Sequence, residues 1–529
     1  MAERAIAANP RLASAHRVRS LALSRLAAFA EGTERKRLQA LAADAAREAV
    51  RLAPSSQVGL ALCASAELTA GDATRAAASA RRALELAPDD PDALWVDARI
   101  AMAQNDLVRA EQRARQVIAS APGSSFAWSI LGDVFRASGR LSDYVAAYEQ
   151  AARFNPSSEA IRQKLAYGYR QTNLHSKAIE TYETLLGGDL PPDAARSLWL
   201  NLGLAYEADA EQDSSLQSGQ RFLRMAAESG DAYAMLRLGL NRDEQGRTDD
   251  DDPDGAVSWY RRASEAGNAQ AMIYLALLRN KQARTEEDDP DGAIHWYRRA
   301  IDAGDALAMY SLGLIRQRQG RTDDDDSDGS VAWYRRAAEA GSAQAMSTLG
   351  WLRHQQERTD DDDPDGAVAW YRRAGEAGNA QAMTNLGWIR ERRGRTDDDD
   401  SDGAVSWYRR AGEAGNAQAM INLGGLRVRQ ARTEEDDPDG AIHWFRKAID
   451  AGDVRAMDSL GMIRARQGRT DEDDPDGAVH WWSQAADHGH AASGRRLASL
   501  RRDRDRAAHQ NPGDDNARSS PTAALPDPS

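Results

Sequence analysis

DPDGAVSWYRRASEAGNAQAMIYLALLRNKQARTEED, residues 252–288, returns along the chain at a fixed interval of 37 residues. Trp259, Trp296, Trp333, Trp370, Trp407, Trp444 and Trp481 keep that interval, and so do the glycines from Gly255 to Gly477. A degenerate copy precedes them, because Phe222, Gly230 and Met235 stand one period before Trp259, Gly267 and Met272. A period of this size marks a solenoid, in which each copy buries its apolar face against its neighbours. Inside the copy, apolar residues step by three or four: Ala256, Trp259 or Tyr260 and Ala263 in one helix, Met272, Leu275 and Leu278 in a second. Strict alternation is absent, so strands are not expected.

The turns carry their own signals. Gly267, Gly304, Gly341, Gly378, Gly415, Gly452 and Gly489 fall where a helix must end in the left-handed region, which only glycine enters cheaply. The next position holds Asn268, Asp305, Ser342, Asn379, Asn416 or Asp453, each able to accept from the free amides of a starting helix. Asp252-Pro253 predicts the start of the other helix, a capping acceptor followed by a proline that needs no amide hydrogen. The arginines at 261 and 262 sit in its C-terminal half, where positive charge suits the helix dipole.

The unit AVxWYRRAxEAGNAQAMxxLGxxR resembles the Sel-one-like repeat (SLR), a relative of the tetratricopeptide repeat, from about Ser215 to Leu500. The departure is the link, RTDDDDPDG or RTEEDDPDG, far more acidic than the family's usual short Gly-rich segment. Upstream, Pro54, Pro88, Pro122 and Pro156 are 34 residues apart, the tetratricopeptide length. The copy from Ser125 to Pro156 resembles that repeat best, through Trp128, Leu131, Gly132, Phe135, Gly139, Tyr148, Ala151 and Pro156. Tyr144 stands where a small alanine is usual, so packing there is expected to open. Pro10 is 44 residues before Pro54, which implies an insertion near Glu31–Arg37. AERAIAANP resembles the second helix of a unit, so the chain reads as starting in mid-repeat.

A net charge of −14 comes largely from the acidic links and argues against a nucleic-acid groove despite 68 Lys and Arg. No apolar run approaches a signal-peptide core or a membrane span, which predicts a cytoplasmic protein. Cys63 is the single cysteine and occupies an apolar repeat position, where a thiol behaves as a small hydrophobe.

Four links match the opening of a calcium loop, as in Asp250, Asp252, Asp254 and Gly255. The position that should close such a loop with a bidentate carboxylate holds Arg261 and its equivalents, a cation that opposes binding. The acidic residues are therefore expected to cap helices and pair with arginines of adjacent units. His295, His443 and His480 share one repeat position but form no ligand cluster. No nucleophile–base pair and no phosphate loop occur, so neither catalysis nor a cofactor is expected. The Trp-Tyr pair reads as core. Leu314, Trp351, Trp388 and Met462 vary at one helical position on a constant frame, together with Leu277 and Gly425, and are the candidates for contact with a partner.

The sequence thus predicts an all-α superhelix of antiparallel helix pairs, an α-solenoid. Its expected parts are tetratricopeptide-like units over 1–207, SLR units over 208–500 and a disordered tail over 501–529. The resemblance implies a protein- or peptide-binding scaffold, with neither nucleic acid nor membrane as partner. The alternatives are a calcium-responsive repeat protein and an accessory segment of a longer enzyme or signalling protein.

Overall fold

A computed structural model describes residues 1–188, 191–209 and 213–510 as 28 helices, with no strand among the described residues. The fold is an all-α solenoid that divides into two compact units, Met1–Ala271 and Met272–Ser529.

In the first unit, helices Gln57–Thr69 and Ala73–Leu86, Pro91–Ala103 and Leu107–Ser120, Ser125–Ala137 and Leu141–Phe154, and Glu159–Gln171 and His175–Leu186 form consecutive pairs. The leading helix of each pair starts on Ser56, Asp90, Ser124 or Ser158, whose side chain accepts from an amide three residues on. The core of the earlier pairs is rich in small residues, with Ala76, Ala80, Ala83, Ala98 and Ala110 fully buried, and that of the later pairs adds Phe135, Tyr148 and Tyr182. Cys63 packs among Ala43, Ala46 and Ala66, and burial pushes its thiol up to about 12. The extra residues before Pro54 lengthen helices Ala13–Phe29 and Gly32–Leu52 to 17 and 21 residues, against 13 and 14 in the next pair.

Tyr144 does not open the packing. Its ring is buried, its hydroxyl donates to the Lys164 carbonyl at 2.6 Å, and Gly168 makes the room. A Cβ on Gly168 would lie 2.5 Å from Tyr144 Cε1, a distance no side chain tolerates.

In the second unit the copies are uniform. Each Trp-bearing helix has 10 residues, as in Ala367–Glu376, and each complete Met-bearing helix 13, as in Ala380–Arg392. Trp370 and Tyr371, Trp407 and Tyr408, and Trp444 and Phe445 are buried, so the aromatic pair is core. Gly378 has φ +89, and Asn379 accepts from the Ala382 amide at 2.8 Å, as the turn signals predict.

The start of the Trp-bearing helix differs from the expectation. The N-cap is Gly255 and its equivalents, without a side-chain cap, rather than Asp252 ahead of Pro253. The aspartate that precedes by three residues caps the turn before the helix instead: Asp400 accepts from the Asp402 amide at 3.0 Å. Glycine is required by proximity, because a Cβ on Gly403 would lie 2.9 Å from Asp400 Cβ. The last helix, Ala491–Gln510, runs past the boundary expected at 500, and the remainder of the expected tail, 511–529, lies outside the described residues.

Candidate interaction surface

Part of each acidic link is taken up by an internal frame of arginines, while residues such as Asp397 and Asp399 stay exposed. Asp402 receives four side chains: Arg372 and Arg395 at 3.0 Å each, Arg390 at 2.5 Å, and the Trp407 indole at 3.0 Å. Arg390 also donates to the Asp402 carbonyl at 3.1 Å. Asp400 takes the Arg395 guanidinium at 2.9 Å on each oxygen, the fork-to-fork geometry that guanidinium and carboxylate share. Asp402 thereby ties its own link and Trp-bearing helix to both helices of the preceding copy. The same arrangement recurs around Asp328, Asp365, Asp439 and Asp476.

The arginine at the centre is itself inside. Arg279, Arg316, Arg353, Arg390, Arg427 and Arg464 have at most 1% of their surface exposed. Several reach a second carboxylate in the preceding link, Arg353 to Asp324 and Arg427 to Asp398. A buried guanidinium survives only when paired and hydrogen-bonded, and two links supply that here. Burial pushes the Asp402 carboxyl up, but hydrogen bonds from Arg372 and Trp407 and the charges of Arg390 and Arg372 outweigh it and hold it at about 2. Asp439 is held at about 2 in the same way, by Arg409, Trp444 and Arg427 against burial.

The candidate metal residues lie within this frame. Asp252 chelates Arg247, and Asp254 accepts from Arg242 at 2.8 Å, Arg224 at 2.6 Å and the Trp259 indole at 3.0 Å. The equivalents of Asp250, namely Asp324, Asp361 and Asp398, reach toward buried arginines. Gly255 has φ −82 and begins a helix, so the link lacks the sharp sixth-position turn on which a calcium loop is built. Among the described residues no group of His, Cys, Asp or Glu is arranged to hold a metal. His295, His443 and His480 each lie edge to face on the adjacent tryptophan, at 5.1–5.5 Å.

The varying position is on the outside. Leu277, Leu314, Trp351 and Trp388 have 41%, 37%, 46% and 38% of their surface exposed. Met462 is only half-exposed, because it packs against the cluster of Ala478, Val479, Trp482 and Leu497. Trp388 is flanked by His354, stacked at 5.4 Å, and by the Arg392 guanidinium at 4.8 Å from its ring. These groups border an open cleft of ≈ 570 Å³ together with Ile389, Arg393 and Glu357.

The buried arginines were missed as structural determinants. Their signal was present, an arginine from Arg279 to Arg464 repeating at 37 residues directly after a Leu or Ile of the Met-bearing helix.

Comparison with known families matches the Sel1 repeat in eight consecutive stretches, 200–231, 232–268, 269–305, 306–342, 344–379, 380–416, 417–453 and 455–490, together more than half of the chain. A tetratricopeptide repeat match covers 67–133. The Sel1 matches begin at 200, so they take in the end of helix Pro192–Ala208, which the sequence grouped with the upstream repeats. Among solved structures, a Sel1 repeat protein from Oxalobacter formigenes is 25% identical over 63% of this chain and 93% of its own, with a TM-score of 0.43. The pilF protein of Pseudomonas aeruginosa is 17% identical over 47% and 99%, with a TM-score of 0.31. YrrB, described as a TPR protein with an unusual peptide-binding site, is 15% identical over 37% and 97%, with a TM-score of 0.32. No curated protein matches the chain.

Proposed function

We propose, from the premise that this chain belongs to the Sel1 repeat family, that it is a non-enzymatic scaffold binding a protein or peptide partner along the exposed face of its Met-bearing helices. The observation that carries the reading is the row Leu277, Leu314, Trp351 and Trp388, large apolar side chains left in solvent at one position of successive copies. Tryptophan is among the side chains enriched at binding hot spots, and two stand partly exposed at the same position of neighbouring copies. The frame beneath them is constant, so changing the outer residue changes what is read without disturbing the stack. Among the described residues no helix is long and apolar enough to cross a membrane.

The test is an affinity pull-down from the native cell with the full chain and with Trp351→Ala/Trp388→Ala. The double variant is expected to lose the partners the parent retains, at an unchanged melting temperature, because both side chains lie outside the core. An identical partner set from both proteins would sink the reading.

A further inference from the structure

A surface helix ordinarily turns its large apolar residues inward, and helix Ala13–Phe29 does the reverse. Its buried side chains are Ala15, His16, Ser20 and Ala27, whereas Val18, Leu21, Leu26 and Phe29 are 53%, 48%, 58% and 90% exposed. Stepping by three or four residues, Val18, Ala22, Arg25 and Phe29 follow one line along the helix, with Leu21 beside it and Arg17 and Arg19 on its two flanks.

The charge of this segment is equally uneven. Residues 2–30 hold five arginines, Arg4, Arg11, Arg17, Arg19 and Arg25, and a single acid, Glu3, in a chain whose net charge is −14. Among the described residues no ion pair engages any of the five. In the second unit, by contrast, Arg353 and Arg390 each hold two carboxylates. Large apolar side chains flanked by unpaired guanidinium groups match an anionic lipid surface, which takes the apolar groups below its headgroups while the arginines reach up to the phosphates. A second copy of the same strip fits it poorly, because it would set arginine against arginine with no acid between them. The expectation that no membrane takes part rested on the lack of a spanning segment, and a helix lying in the bilayer surface needs none.

We propose that helix Ala13–Phe29 docks the chain on an anionic lipid bilayer, lying along its surface with Val18, Leu21, Leu26 and Phe29 below the headgroups and Arg11, Arg17 and Arg25 at the phosphates. The helix shares no residue with the face of Trp351 and Trp388, so either reading can fail alone.

Vesicle flotation of the full chain tests it, with vesicles of phosphatidylcholine alone and of equal parts phosphatidylcholine and phosphatidylglycerol. An arginine held at an anionic surface strengthens binding about fivefold. The anionic vesicles are therefore expected to bind about tenfold tighter or more, and Arg11→Gln/Arg25→Gln to remove most of that difference. Leu21→Ser/Phe29→Ser is expected to weaken binding at an unchanged melting temperature, because both side chains lie outside the core. If that variant does melt earlier, Phe29→Cys carrying a polarity-sensitive thiol dye decides, since the buried Cys63 does not take up the dye. Its emission should move to the blue on anionic vesicles. Trp351→Ala/Trp388→Ala changes none of these results. The proposal is overturned if neither vesicle binds, if both bind equally, if the arginine variant binds like the parent, or if the dye stays in water. It is also overturned by a dimer that Leu21→Ser/Phe29→Ser dissolves, which assigns the strip to a second copy, or by soluble polyglutamate displacing the chain from vesicles, which assigns it to an acidic protein.

Discussion

The helix pairs between Gln57 and Leu186 and the 37-residue copies after Met272 use the same antiparallel element but are joined by opposite chemistry. The former meet through alanines, aliphatic side chains and tyrosines with no ion pair at the centre of each contact, and successive pairs follow each other across short turns at Pro88, Pro122 and Pro156. The latter meet through tryptophan, tyrosine and an arginine–aspartate frame inserted between helices. The first region does hold a buried acid, Asp97, fully enclosed and paired with Arg109 and Arg113. There the arginines lie at the surface, at 36% and 30% exposed, whereas in the second region the arginine is the enclosed partner. The difference teaches that single aspartates within an exposed acidic run, such as Asp400 and Asp402, can be structural partners of enclosed arginines.

The largest expected effect follows from which partner is enclosed. Asp402→Ala strands Arg390 without its main acceptor and should cost about 3 kcal/mol or more, the range for breaking a buried pair. Asp97→Ala leaves two arginines that can turn to water, so it should cost less, about 1–2 kcal/mol. Chemical denaturation of the two variants checks the order, and equal costs would break the comparison.

Acid should separate the regions next. The carboxyls of Asp402 and Asp439 sit at about 2 in the folded chain, below the value near 3.9 of a free aspartate. A depressed acid stabilises fully above its unfolded pKa and loses that contribution as pH falls through the folded one. Amide exchange across residues 272–490 should therefore rise between about pH 4 and pH 2, ahead of residues 57–186. Loss of protection in the upstream helices first would contradict this.

Smaller effects test the turns. Gly378→Val places a branched side chain at φ +89 and should destabilise by about 1–2 kcal/mol. The opposite sign is expected at Ala431, which sits at φ +59 where the neighbouring copies have Gly394 and Gly468. Ala431→Gly should raise stability by about 0.5–1 kcal/mol by relieving that conformation. Melting temperatures of the two variants moving the same way would mean the turns are misread.

The smallest expected effect concerns calcium. With Asp252 and Asp254 held by arginines, millimolar calcium should shift the melting temperature no more than magnesium does. Saturable micromolar binding by calorimetry, selective for calcium and lost on Asp250→Asn, Asp252→Asn and Asp254→Asn, would make the links a site after all.

By itself the sequence determined the helical class, the 37-residue period, the left-handed glycines and the caps at Asn379 and Asn416, because each depends on residues within a turn or two of one another. It also placed Trp370, Trp407 and Trp444 in the core and the varying Trp351 and Trp388 outside. The sequence also predicts that the link aspartates pair with arginines of adjacent units, but only the tertiary structure decided which arginine each meets and which partner is enclosed. Asp402 meets Arg372 from 30 residues earlier and Arg390 from 12 earlier, and Tyr144 finds its space at Gly168 in the next pair. Composition and spacing state that opposite charges, or a ring and a glycine, are available. Which of them meet, and which member is enclosed, depends on how one helix pair packs on the next, because only packing removes water and makes a partner obligatory.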